Sequence, residues 1–307
     1  MPEVFLHLGA HKTATTYIQD VLNEFRPGMA AAGCFYVPLT RSRVAITGPQ
    51  QQLRRTEGSI RAYFFRRQLK KTLSSYLGAL PGEHRDVLIS DENLLGEIEE
   101  SLGGSLYPTA AGRLQQLSGL IPAPVRRVYL GVRDYAPFLT SLYIEGLRWG
   151  TKVTPEKLVA NYGTPARHWS QLVGSIKAAF PQAQLHIWRF EDFPLLRSQL
   201  LASLSRLPED VIGASLDRIV RPGISKDGVE SLLETFQTVE GAIGRQFAAL
   251  AAEGRHPRRP GDAVYDPWPA DVRRAISAVY EQELAEWLND PRITLLRPQA
   301  HAAATAP

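Results

Sequence analysis

Residues 1–22 read MPEVFLHLGAHKTATTYIQDVL, and the fold turns on how the middle of that stretch is read. Val4 to Leu8 form an apolar run of strand length, Gly9 interrupts it, and from Thr15 a helical pattern runs to about residue 25. Strand, glycine, short polar turn and helix is the context of a phosphate-binding loop. There, glycine-permitted turns bring backbone N–H groups together at a helix N-terminus, where the dipole favours an anion. Aligned with G-x-x-x-x-G-K-[ST], Gly9 takes the first glycine, Ala14 the second, Thr15 the lysine and Thr16 the hydroxyl residue. The lysine is missing from its place, and Lys12 lies three positions earlier. The plainer reading of KTATT is a capped helix start, because threonine hydroxyls satisfy orphan N–H groups there.

Further runs of strand length occur at VLIS (87–90), VYLGV (128–132) and LHIWRF (185–190), each with a helical pattern before or after it. This alternation predicts an α/β fold, a P-loop-like three-layer sandwich whose central, mostly parallel sheet is flanked by helices. Helices are expected near 15–25, 60–78, 109–119, 135–148, 165–179, 194–206, 228–253 and 270–288. In the 228–253 segment Val229, Leu232, Phe236, Val239, Ile243, Phe247 and Leu250 recur at helical intervals, as do Val272, Ile276, Val279 and Trp287 in the last. Both read as core-facing covers. His7 and His186 fall inside strands and read as core histidines. RHPRRPGDAVYDPWP (255–269), with five prolines and glycines, reads as a loop, and the closing RPQAHAAATAP as a frayed tail. No repeat or linker divides the chain, so one domain is expected over 1–295, with a flexible tail over 296–307.

A length of 307 residues, 44% hydrophobic and 21% charged, excludes the disordered and fibrous classes. The single cysteine, Cys34, excludes an intramolecular disulfide. No apolar run is long enough to cross a membrane, and the first strand is too short and lacks the basic leader of a signal peptide. A cytoplasmic protein with no membrane partner is expected. The net charge of +4 is uneven: nine Lys or Arg stand against one acid, Glu57, between Arg41 and Lys71. That surplus attracts anions, although RAYFFRRQLKKTLSSYLGAL (61–80) reads first as an amphipathic helix. It would bury Ala62, Phe65, Leu69, Leu73, Tyr76 and Leu80 and leave its basic residues solvated. Cysteine and histidine show no metal-site spacing, so no metal is expected.

HKTATT (11–16) resembles the 5′-phosphosulfate loop of the sulfotransferases that use 3′-phosphoadenylyl sulfate (PAPS). That loop follows the first strand and reads approximately P/H-K-x-G-T-T, or H-K-T-G-T-T in the bacterial branch similar to carbohydrate and small-alcohol sulfotransferases. The resemblance implies that His11, Lys12, Thr13, Ala14, Thr15 and Thr16 hold the donor. Ala14 departs from the glycine: alanine tolerates a helical backbone there but strains at positive φ. The displaced lysine suits sulfuryl chemistry. A sulfuryl group has fewer ionised oxygens than a terminal phosphoryl group, so magnesium is dispensable. What needs stabilising is charge growing on the oxygen between sulfur and the 5′-phosphate, a task for the Lys12 ammonium. A second segment, VYLGVRDYAPFLTSLY (128–143), places Arg133 at a strand end and Ser141 eight residues later, on a helix that Asp134 can cap and Pro137 can enter in its first turn. The same family carries R-x(7)-S after a strand, and the resemblance implies that Arg133 and Ser141 grip the donor's 3′-phosphate, a guanidinium being well matched to phosphate oxygens.

An acceptor hydroxyl needs a group to take its proton. VLISDENLLG (87–96) offers Asp91 and Glu92 at the carboxyl edge of the sheet, where α/β proteins collect ligands. S-D-E-N is similar to the S-x-E-x pattern of the family's glutamate-using branch, which favours Glu92 as base, with Asp91 and His11 the alternatives; as plain structure, DEN reads as a cap. RPGISKDG (221–228) and RHPRRPGD (255–262) are late basic loops. The family closes such a loop over adenine and 3′-phosphate, which makes Arg221 or Arg258 a donor contact, set against the ordinary reading of both as surface arginines. The resemblance thus implies an enzyme that moves a sulfuryl group from PAPS to a hydroxyl of a carbohydrate or other small molecule. The product is adenosine 3′,5′-bisphosphate (PAP), neither metal nor nucleic acid takes part, and residues 40–80 and 145–165 shape the acceptor pocket. Two rivals stand beside it. One is a P-loop kinase or NTPase with Asp91 holding magnesium. The other is a polyanion-binding module using RRTEGSIRAYFFRRQLKK (54–71).

Overall fold

The computed structural model describes residues 3–78, 86–213 and 223–298. Six strands form one sheet: β1 (Glu3–Gly9), β2 (Cys34–Val37), β3 (Asp86–Ser90), β4 (Val125–Val132), β5 (Gln184–Arg189) and β6 (Ile293–Leu296). Their order is β2-β3-β1-β4-β5-β6, and every neighbouring pair is parallel. The fold is an α/β three-layer sandwich. The apolar runs are continuous because a parallel sheet covered by helices is buried on both faces. Alternate residues serve opposite sides. Val4, Leu6, Leu8, Val87, Ile89, Val128 and Leu130 enter one core, with Leu69 and Leu73 of helix Ile60–Gly78 and Phe138 and Leu142 of helix Tyr135–Arg148. Phe5, Leu88, Tyr129 and Trp188 enter the other, covered by helices Thr15–Glu24 and Phe193–Ser205.

From β1 the chain winds to one side to lay down β2 and β3, then returns to add β4, β5 and β6 on the other. Winding therefore reverses between β1 and β4, and in open α/β sheets ligands collect at the carboxyl end of that switch point. The loops that leave β1 and β4 carry Lys12 and Arg133.

His7 and His186 pack as core histidines. His7 Nδ1 pairs with Ser90 Oγ at 2.7 Å, and the His186 ring stacks 4.8 Å from Tyr129. Burial pushes both down to about 4, against Glu92's charge for His7 and aided by Arg127's for His186.

The fold corrects the sequence reading in several places. The expected single helix over 228–253 is two, Lys226–Thr238 and Ala242–Arg255, separated at Gly241, whose φ of 72° is left-handed. Val229, Leu232 and Phe236 of the first are buried, but Ile243, Phe247 and Leu250 of the second are 71%, 69% and 67% exposed. The break resets the helix's phase, so that Ala249 and Ala252 face inward instead. β2 and β6, four residues each, are not among the runs singled out by pattern. In helix Ile60–Gly78, Leu69 and Leu73 are buried and Ala62, Phe65 and Tyr76 half-buried, as the amphipathic reading requires, while Leu80 lies outside the described residues. Among the described residues no helix is long and apolar enough to cross a membrane.

Candidate functional site

The loop after β1 is built on the backbone. Gly9 has φ 86°, and a Cβ there would stand 3.0 Å from Glu92 Cβ and 3.2 Å from Thr15 Oγ1, so glycine allows both the turn and the approach of the 92 side chain. Ala10 N donates to Gly131 O at 3.2 Å, which ties the loop to β4. Thr13 Oγ1 and Thr15 Oγ1 both donate to Ala10 O, at 2.7 and 2.8 Å. The threonines thus close the loop rather than cap helix Thr15–Glu24, which has no side-chain cap and no acid in its first turn. Its first amides lack intrahelical acceptors, and the positive end of its dipole meets the loop. Thr16 is exposed. Lys12 (φ 60°) and Ala14 (φ 66°) are both left-handed, the conformation from which backbone anion nests are made. Ala14 therefore sits where the sequence pattern has glycine, at a cost of about 1 kcal/mol.

Arg133 leaves β4 toward this loop. Its Nη1 donates to Lys12 O at 3.3 Å and its guanidinium lies over the Phe190 ring, 4.4 Å from the centroid. Trp169 Nε1 holds the Arg133 carbonyl at 3.0 Å. Burial lowers the pKa of Arg133, opposed by Glu191 and Asp134 and assisted by Arg258, whose charge therefore reaches it. Asp134 caps helix Tyr135–Arg148 by accepting Ala136 N–H at 3.1 Å. On that helix Ser141, Glu145 and Arg148 share a face by their spacing. Lys12 Nζ reaches this face, 3.0 Å from Glu145 Oε2, and Arg148 Nη1 lies 3.1 Å from the same oxygen.

The two late basic loops are neighbours rather than alternatives. Arg258 N donates to Gly223 O at 2.8 Å, Ser225 N to His256 O at 3.0 Å, and Ile224 bridges Pro257. The Arg258 side chain is exposed; Arg221 lies outside the described residues.

The three groups weighed as base have different surroundings. Asp91 is enclosed, with 0% of its side chain exposed: Oδ2 accepts Ser42 Oγ (2.9 Å) and Thr47 Oγ1 (3.0 Å), and Oδ1 caps Asn93 N–H (3.0 Å). Burial, then Glu92's charge, pushes it up to about 6. Both ring nitrogens of His11 are engaged, Nδ1 with Tyr107 OH at 3.0 Å and Nε2 with Asn93 Oδ1 at 3.2 Å. Because the Asn93 oxygen only accepts, Nε2 carries the hydrogen and Nδ1 accepts from Tyr107, whose oxygen also takes His11 N–H at 3.0 Å. Burial lowers the His11 pKa and favours this neutral form. Glu92 keeps 12% of its side chain exposed; Oε1 accepts Arg43 Nη2 at 2.8 Å and Oε2 accepts Gln19 Nε2 at 3.0 Å. Arg43 is itself half open to solvent, so of the two carboxylates Glu92 is the more accessible.

Pattern reading brings Lys12, Arg133, Glu92 and His11 to one end of the sheet but misses Glu145, Arg43, Gln19, Tyr107 and Phe190. Arg43 lay within the basic surplus and Glu145 one turn beyond Ser141; Gln19, Tyr107 and Phe190 carried no signal. No protein-family model matches the chain, and no curated protein is found to be similar to it.

Proposed function

We propose that the protein is a sulfotransferase that moves a sulfuryl group from PAPS to the hydroxyl of a carbohydrate or other small-molecule acceptor. The observation that carries this reading is the bond from Arg133 to the Lys12 carbonyl. It joins, at the sheet's switch point, two motifs that are unrelated in sequence but are both needed to hold a nucleotide with phosphates at its 3′ and 5′ positions. The residues present suit such a donor. An uncapped helix start and two left-handed residues favour an anion at the 5′ end, and a guanidinium held on an aromatic face favours one at the 3′ end.

In the reaction the acceptor oxygen bonds to sulfur as the bond from sulfur to the 5′-phosphate oxygen breaks, and the acceptor's proton passes to Glu92. Lys12 and the loop amides stabilise the phosphate that leaves with adenosine 3′,5′-bisphosphate. The enclosure of Asp91 by Ser42, Thr47 and Asn93 leaves it poorly placed to hold magnesium, which weighs against the kinase reading. Thermal unfolding tests the choice. Adenosine 3′,5′-bisphosphate is expected to raise the melting temperature more than ATP with magnesium, and the reverse order would overturn the proposal. An acceptor screen with labelled PAPS then tests the transfer itself.

A further inference from the structure

Lys12 does not hold an open position. Its ammonium is paired with Glu145, whose Oε2 it shares with Arg148, and Arg148 Nη2 in turn pairs with Glu253 of helix Ala242–Arg255. Burial alone would raise the Glu145 pKa, but Lys12 and Arg148 outweigh it, so the carboxylate is firmly ionised. The pair is partly exposed, with 30% of the Lys12 and 20% of the Glu145 side chain open to water. A phosphate that takes the ammonium therefore competes with a full negative charge already in contact with it. Arg148 provides what an exchange requires, because it keeps Glu145 partnered when Lys12 departs.

We propose that Glu145 is the exchange partner of Lys12: the ammonium passes from this carboxylate to the 5′-phosphate when donor binds and returns to it when the bisphosphate leaves. Resting on the sulfotransferase reading, the exchange makes Glu145 a positioning residue that sets how tightly the product is held. A site that grips both phosphates of its product would otherwise release it slowly, and a competing carboxylate one side chain away speeds that release.

Titration calorimetry with adenosine 3′,5′-bisphosphate tests this. Glu145→Gln is expected to bind about threefold to fivefold more tightly than wild type, the upper span of a partly exposed ion pair. Glu145→Asp, which keeps the carboxylate, is expected to stay within about twofold of wild type, and the gain from Glu145→Gln is expected to vanish when Lys12→Ala is also present. A purely structural role for Glu145 would weaken binding or leave it unchanged, and either result overturns the exchange. So does a gain that persists without Lys12. Should Glu145→Gln not fold, Glu145→Ser carries the same expectation. A second readout needs no nucleotide: reductive methylation of Lys12, followed peptide by peptide, is expected to run faster in Glu145→Gln, since the ion pair shields the amine. Equal rates overturn the pairing. If wild type fails to bind the bisphosphate, the donor reading falls and the exchange with it, whereas wild-type binding with no gain in Glu145→Gln overturns the exchange alone.

Discussion

Arg133 Nη1 donates to the carbonyl of Lys12 across 3.3 Å, a bond between residues 121 apart in sequence. Lys12 is left-handed and its side chain pairs with Glu145, so the guanidinium holds the backbone of the loop while the ammonium is held from another helix. On the proposed reading, Arg133→Ala removes a phosphate ligand and a support of the loop together. Affinity for adenosine 3′,5′-bisphosphate is expected to fall about tenfold to a hundredfold, the worth of a charge-assisted hydrogen bond. Arg133→Lys is expected to recover little of it, because an ammonium cannot lie flat on Phe190 and present a fork. Calorimetric titration of the three proteins checks this; unaltered affinity in the alanine variant removes Arg133 from the site.

Glu92→Gln keeps one acceptor oxygen for Arg43 or Gln19 and loses the capacity to take a proton. Bisphosphate affinity is expected to stay within about threefold of wild type while transfer falls about 100-fold to 10,000-fold. Single-turnover measurement with labelled PAPS and an accepted alcohol reads the second number. Normal turnover would reassign the base.

Asp91 makes the pH dependence of stability diagnostic. Its folded value of about 6, raised by burial and then by Glu92, lies above the 3.8 of an unperturbed aspartate. Between pH 4 and 6 the folded chain therefore holds a proton that the unfolded chain has mostly released, and this site's contribution to stability falls as pH rises, by about 2 kcal/mol across the window. His7 and His186, lowered to about 4 from 6.5, act in the opposite sense, since the unfolded chain binds their protons first. The difference between wild type and Asp91→Asn isolates the aspartate. In that variant Ser42 and Thr47 can turn their hydroxyls to accept from the amide. Denaturant unfolding at pH 4, 5 and 6 is expected to show wild type losing ground to Asp91→Asn as pH rises; parallel curves would contradict the raised value.

Two substitutions around the same loop are expected to have opposite signs. Ala14→Gly relieves a left-handed alanine and should stabilise the protein by up to about 1 kcal/mol, less whatever the lost methyl contributed to packing. Gly131→Ala would set a Cβ 2.6 Å from Thr13 Oγ1 and 2.8 Å from Trp188 Cζ2, displacing the loop from β4 at a cost of about 1–3 kcal/mol. Chemical denaturation measures both, and a destabilised Ala14→Gly would mean that the methyl's packing outweighs the backbone term.

Much of this architecture was legible because it depends on local chemistry. VFLHL, VYLGV and the LHIWR of LHIWRF lie in strands that the sheet buries, Phe190 falling just past β5, and Asp134 caps its helix by a bond two residues long. The failures share a cause as well. Ile243, Phe247 and Leu250 continue the spacing of Val229, Leu232 and Phe236, yet the left-handed Gly241 between them rotates the second helix, and periodicity does not register a change of axis. β2 and β6 are strands because β3 and β5 pair with them, not because four residues of CFYV or ITLL carry a signal of their own.

The α/β class, the loop that begins at Gly9 and the residue types an anion would need there follow from the amino-acid order, because strand burial, turn stereochemistry and helix capping are settled within a few neighbouring residues. Only packing across the sheet makes Lys12 meet Glu145 and Arg133 meet the Lys12 carbonyl, and leaves Asp91 fully enclosed while Glu92 keeps 12% of its side chain exposed. Those outcomes depend on the reversal of winding between β1 and β4, which brings distant segments to one edge of the sheet. Contacts made across such distances are fixed by packing, which no local pattern encodes.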